Sequence, residues 1–114
     1  MIVSILEFKA DPQGIMDSSQ AFYKAFHFIS QKQGAVTLKL EKGIYRLTKE
    51  FSVERTVHTS NTDSVLFPKK KIGLLIESMN DLTIDGQGSR LLFEGDMMAL
   101  GILHSKNITI KNLT

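Results

Sequence analysis

Among the carboxylates in the second half of the chain, Asp63, Asp85, Glu94 and Asp96 are the candidates for acid–base chemistry. A hydrolytic pair requires one carboxyl kept protonated, by burial or a neighbouring negative charge, and one kept ionised. Asp85 directly precedes Gly86, and Asp96 follows Gly95. At such turn positions a carboxylate accepts backbone N–H groups, which lowers its pKa, the wrong direction for a general acid. Both are expected to serve turns, and Glu77 should point outward if Ile76 points inward. His27, His58 and His104 have no ligand spacing among themselves or with the carboxylates, so no metal site is expected. Gly86-Gln87-Gly88 lacks the third glycine, opening a helix, that a dinucleotide fingerprint requires, and no cofactor is expected. The stretch from Glu54 to Lys71, rich in Thr, Ser, Asn and Asp, reads as a long loop that carries Arg55, His58, Asn61 and Asp63. These side chains could hydrogen-bond a polar ligand or satisfy the loop's own backbone.

The elements that must position these groups are organised around one unit written twice. Asp81-Leu82-Thr83-Ile84-Asp85 reappears as Asn107-Ile108-Thr109-Ile110-Lys111, an offset of 26 residues (108 − 82). Each copy follows an apolar run, Leu74-Leu75-Ile76 or Leu100 to Leu103. This spacing is that of a stacked solenoid, in which one coil cannot bury its apolar face alone. The units are β-branched and separated by turn residues, so the solenoid should be β. Short strands are expected at Ile72 to Glu77, Leu82 to Ile84, Arg90 to Phe93, Met97 to Leu103 and Ile108 to Leu113. Asp85-Gly86-Gln87-Gly88 and Glu94-Gly95-Asp96 should separate them.

Upstream, Ile2 to Phe8 alternates weakly and is expected to form a first strand, and Asp11-Pro12-Gln13-Gly14 a turn. Asp17-Ser18-Ser19-Gln20 has the form of a capping box. Ala21, Phe22, Ala25, Phe26 and Ile29 follow at helical spacing, and Gly34 is a natural stop, which predicts a helix over about 18–33. His27 falls on its polar face, as a solvated side chain. Val36, Leu38 and Leu40 alternate with polar residues as a half-buried strand, Glu41-Lys42-Gly43 turns the chain, and Tyr45 and Leu47 share one face of the next. Phe51 and Val53 would join a further short strand. The helix has a physical task at the head of such a stack, where open strand edges and apolar interior must be covered.

With 114 residues the chain has room for one domain, 1–114, with β coils over about 36–114. A hydrophobic share of 42% against 23% charged marks it as globular rather than disordered. The net charge of +2 argues against a dedicated nucleic-acid binder, and Lys69-Lys70-Lys71 reads as a solvated loop. The absence of cysteine excludes disulfides and thiol chemistry but leaves the compartment open, because many exported proteins lack disulfides too. No apolar run is long enough to span a bilayer as a helix, and Met1 to Leu6 is too short for a signal-peptide core, so no membrane partner is expected. The sequons at Asn107 and Asn112 sit at strand starts, where Asn suits the turn.

Gly14-x-x-Asp17-Ser18-x-x-Ala21-Phe22, then Gly43-Ile44-Tyr45 and the repeated Leu-Thr-Ile units, resemble the entrance to right-handed parallel β-helix proteins of the pectate-lyase-like class. A narrower set is similar to the N-terminal coils of glycoside hydrolase family 110. It comprises Ser60-Asn61-Thr62-Asp63, Lys71-Ile72-Gly73-Leu74, Leu82 through Ser89, Leu92-Phe93-Glu94-Gly95 and Asn107 through Asn112. The resemblance implies a mostly β fold: the start of a right-handed parallel β-helix with one N-terminal capping α-helix, truncated before its later coils. It implies a parent enzyme that is an inverting α-1,3-galactosidase acting on terminal galactose. Inversion needs an acid and a base about 6.5–9.5 Å apart. The family's catalytic acids lie in later coils, so no catalytic residue is expected in this chain. His58, Asn61 and Asp63 remain candidates for contact with a sugar, carbohydrate is the expected partner of the parent, and the fragment is expected to self-associate through its open C-terminal coil. The alternative is a non-catalytic β-helix module for carbohydrate binding or assembly; a polysaccharide lyase would need cation-binding carboxylates on successive coils, and none is visible.

Overall fold

A computed structural model describes residues 1–48, 53–56, 69–95 and 97–114 of the chain. In chain order the elements are β1 (Ile2–Ser4), a 3-10 turn (Ile5–Phe8), β2 (Gln13–Asp17), α1 (Ser19–Ser30), β3 (Val36–Lys39), β4 (Ile44–Thr48), β5 (Val53–Thr56), β6 (Lys69–Glu77), β7 (Asn80–Glu94), β8 (Met98–Leu103) and β9 (Lys106–Leu113). The described residues are mostly β with one α-helix, as the residue pattern requires. One sheet runs β1-β3-β7-β4-β2, with β9 also on β7, and every pairing in it is parallel. It curls because β7 bends: Leu82 to Asp85 lie beside β3, and Arg90 to Glu94 lie beside β4. A second sheet runs β5-β6-β8, antiparallel then parallel.

The repeat read from the sequence is the stacking unit. Leu82 pairs with Ile108, Thr83 with Thr109 and Ile84 with Ile110, all in parallel register. Leu74 and Ile76 pair likewise with Leu100 and Ile102 in the second sheet, at the same 26-residue step. The step before it is longer. Val36 to Leu82 is 46 residues (82 − 36), so this coil carries 20 more than the next (46 − 26). The excess falls between β4 and β6, and its described part includes β5, which runs against β6 in the opposite direction. β5 therefore takes the edge of the second sheet that a strand of a preceding coil would otherwise pair with.

The bend in β7 sits where the sequence places Asp85-Gly86-Gln87-Gly88. These four residues do not separate two strands; they turn one continuous strand through a corner, where it changes partner from β3 to β4. Gln87 and Gly88 adopt positive φ (51° and 84°). At Gly86 a Cβ would stand 2.5 Å from the Asn112 carbonyl oxygen, so only glycine admits β9 at this distance.

Three further expectations are corrected. The first strand stops at Ser4, because the Ser4 hydroxyl and the Glu7 carboxylate form a capping box over the 3-10 turn. The box expected at the start of α1 forms only in part: Asp17, its expected acceptor, takes the Ser19 N–H at 2.7 Å, while Ser18 holds the N-cap position without a side-chain cap bond, its Oγ accepting the Asp11 N–H at 3.0 Å. The helix is accordingly shorter than 18–33, and Gln13 to Asp17 is strand. Lys69-Lys70-Lys71 lies in β6, not in a loop, because β5 supplies a pairing edge. Among the described residues no helix is long and apolar enough to cross a membrane.

The core forms where α1 meets the curled sheet. Phe22, Ala25 and Ile29 are buried with Val3, Ile5, Leu38, Tyr45, Leu47, Leu82 and Ile84. Phe22 meets Tyr45 edge-on, with ring centroids 6.0 Å apart. Burial and the nearby Glu41 charge push the Tyr45 hydroxyl up to about 12. That hydroxyl donates to the Glu41 carbonyl at 2.5 Å.

Candidate functional site

His58, Asn61, Asp63 and Asp96 lie outside the described residues, as does the side chain of Arg55. Of the candidate carboxylates, Asp85 and Glu94 can be placed, and the surroundings of each favour its ionised form. The Asn112 side-chain amide, at 3.1 Å, holds Asp85 below the usual carboxylate range, helped by the Gln87 N–H and by Lys111. This is the turn role and the pKa direction that its place before Gly86 implies. Glu94 is held low by two charge-assisted bonds from Arg46, at 2.6 and 2.9 Å. Asp81 accepts the Asn107 side-chain amide at 2.8 Å, so the two copies of the repeat are tied corner to corner.

A second polar cluster stands at the entrance to α1. Burial raises the Asp17 carboxyl, but bonds from the Thr48 hydroxyl and from Ser19 outweigh it and leave the pKa lowered. The Ser19 N–H donates to Asp17 at 2.7 Å, and Thr48 N–H donates to the Ser19 hydroxyl at 3.3 Å. Ser89 is fully buried beneath the β3–β4 turn, accepting from Gly43 N–H at 3.1 Å and donating toward the Leu40 and Glu41 carbonyls. Apart from the Ser19–Asp17 bond, these contacts join residues far apart in the chain, and no local pattern announces them. Ser89 follows the Asp-Gly-x-Gly corner directly, which is the one signal that could have marked it.

His27 is exposed on α1, as its place on the polar face predicts, with Nε2 3.3 Å from the Gln31 amide nitrogen. It borders a cavity of about 190 Å³ between α1 and β6, whose wall includes Phe22, Phe26 and Met79 and whose polar lining includes Tyr23 and Glu77. The space is smaller than the roughly 300–1,000 Å³ of drug-sized sites and offers one apolar wall with polar groups beside it. No group of three or more His, Cys, Asp or Glu able to hold a metal ion occurs among the described residues.

No protein-family model matches the chain. Comparison with curated proteins finds alpha-1,3-galactosidase A of Streptomyces avermitilis, 33% identical over 116 residues that take in 100% of this chain and 19% of that protein. Alpha-1,3-galactosidase B of Bacteroides thetaiotaomicron is 33% identical over 99% of this chain and 18% of its own length. Alpha-1,3-galactosidase A of the same organism is 39% identical over 68% of this chain and 14% of its own. The chain thus spans less than a fifth of the length of each of these relatives.

Proposed function

This chain is related along its whole length to the α-1,3-galactosidases, and on that footing we propose that it forms the opening coils of a right-handed parallel β-helix in a larger carbohydrate-active protein. The whole protein releases terminal α-1,3-linked galactose with inversion. The chain's own contribution is architectural: α1 covers core residues of the curled sheet, and β7, β8 and β9 set the 26-residue step that later coils continue. The acid and base come from those later coils. The placed carboxylates Asp17, Asp85 and Glu94 support this division, because each is drawn toward ionisation, as expected of structural groups rather than of a protonated acid. His58, Asn61 and Asp63 contribute hydrogen bonds to the sugar. The observation that carries the reading is the match over the full chain to proteins of this one name.

Anomer-resolved NMR of α-1,3-galactoside cleavage tests it on two proteins. One is the 114-residue chain; the other is a chimera in which this chain replaces the matching segment of the Streptomyces avermitilis relative. The chain alone should release no galactose, and the chimera should release it as the β-anomer. Turnover by the 114-residue chain would overturn the division of labour. A folded chimera without turnover would overturn the equivalence of the segments.

A further inference from the structure

Among the described residues β2 is an outermost strand of the large sheet, paired on one side with β4. Such an edge presents backbone groups that template another strand. Here the usual protection by charge on the edge is missing at two positions: Ile15 and Met16 are each 69% exposed. What protects the backbone is a single carboxylate. Asp11 accepts the N–H groups of Gln13 at 2.9 Å, Ile15 at 3.1 Å and Met16 at 2.7 Å. Arg46 Nη1 donates to the Ile15 carbonyl at 3.2 Å, so an acceptor of the same strand is occupied too. Wrapping the strand around Asp11 breaks its register against β4 between Gln13 and Asp17, and this irregularity is itself a way of blunting an edge.

We infer that the Asp11 carboxylate keeps the β2 edge from pairing with a second copy of this chain. A second copy is the occupant because two β2 edges related by a twofold axis are self-complementary. Antiparallel pairing would exchange N–H and C=O groups and bring the exposed Ile15 and Met16 of each copy together. Freed of Asp11, the strand straightens into register and offers both its donors and this apolar pair. The same device recurs on a smaller scale at β1, where the Glu7 carboxylate accepts the Ser4 N–H at 3.2 Å. The inference concerns this chain's own edge and does not depend on the galactosidase reading.

The test compares wild type, Asp11→Ala, Asp11→Asn and the double variant Asp11→Ala/Ile15→Lys by sedimentation velocity across a concentration series, with amide hydrogen exchange on the same samples. Exchange at Leu82 and Ile84 reports whether the fold is kept. In Asp11→Ala at low concentration, the Ile15 and Met16 amides should exchange about tenfold faster or more than in wild type. Its self-association constant should tighten about tenfold. Asp11→Asn, which keeps one acceptor oxygen, should fall between, and it carries the test if Asp11→Ala loses the fold. Adding Ile15→Lys should return association to the wild-type level, because a lysine on the edge blocks pairing. Unchanged exchange at Ile15 and Met16 would overturn the inference. So would faster exchange without tighter association, or association that Ile15→Lys fails to reverse.

Discussion

The two ends of the stack are built from similar residues and covered differently, although Ile15 and Met16 of the outer strand β2 stay 69% exposed at the N-terminal end. At the N-terminal end, the 3-10 turn and α1 pack on the sheet, Ile5 is 0% exposed and Phe22 1%, and Glu7 and Asp11 occupy donors of the outer strands. At the other end, Ile108, Ile110 and Leu113 are only partly buried, and Leu100 and Ile102 of β8 are 40% and 44% exposed. The contrast is sharpest within the repeat. Leu82 and Ile84 lie between β3 and β9 and are 0% exposed, while their counterparts Ile108 and Ile110 have β7 on one side. Residue type does not bury these side chains; a coil on each side does.

The comparison can be broken first at the repeat itself. Leu82→Ala should destabilise the chain by about 2–5 kcal/mol, as a fully buried leucine lost between two neighbours. Ile108→Ala, at the equivalent position one coil on, should cost about half as much or less. Urea denaturation with matched slopes decides it, and equal losses would mean the two coils are buried alike. A smaller effect tests how closely β9 is docked. Gly86→Ala places a methyl against the Asn112 carbonyl and should cost about 1–3 kcal/mol, while an undisturbed midpoint would show that β9 can move away freely.

The partly covered end should also be sticky. The 114-residue chain is expected to self-associate in sedimentation runs, and Ile110→Lys should weaken this about tenfold by placing a charge on the β9 face. A wild-type chain that stays monomeric at high concentration would contradict it. The smallest effect expected is in pH dependence. Asp17 and Asp85 are both held below the ordinary aspartate pKa in the folded chain. A group depressed in the folded state stabilises it above its unfolded pKa, and that stabilisation is lost as pH falls through the folded value. Melting temperature should therefore drop as the pH is lowered below about 4. Asp17→Asn, at the α1 entrance, should flatten that drop more than Asp85→Asn, whose carboxylate is open to solvent; equal slopes would erase the distinction between the two ends.

Much of the fold could be read from local pattern. The 26-residue offset gave the correct partner for Leu82, the spacing of Phe22, Ala25 and Ile29 gave the buried face of the helix, and Glu41-Lys42-Gly43 gave the β3–β4 turn. The candidate site was less legible. Asp85 could be assigned to a turn from the glycine beside it, but the Asn112 amide that lowers its pKa most lies 27 residues away. The pairing of Arg46 with Glu94 spans 48 residues and that of Asp17 with Thr48 spans 31, and no window of sequence contains both partners.

By itself, then, the sequence determined the periodic features: which residues alternate, which repeat at a coil's length, and where glycine must let the chain turn. Those are properties of a few neighbouring residues and of the side-chain period of two in a strand. Tertiary structure decided the rest. It spent Ser18 on the Asp11 amide, drew Lys69 to Lys71 into a strand, and ran β7 through its corner as one strand. In each case the local pattern left a backbone donor or strand edge to be satisfied, and the partner that satisfied it was fixed by which segments the fold brings side by side.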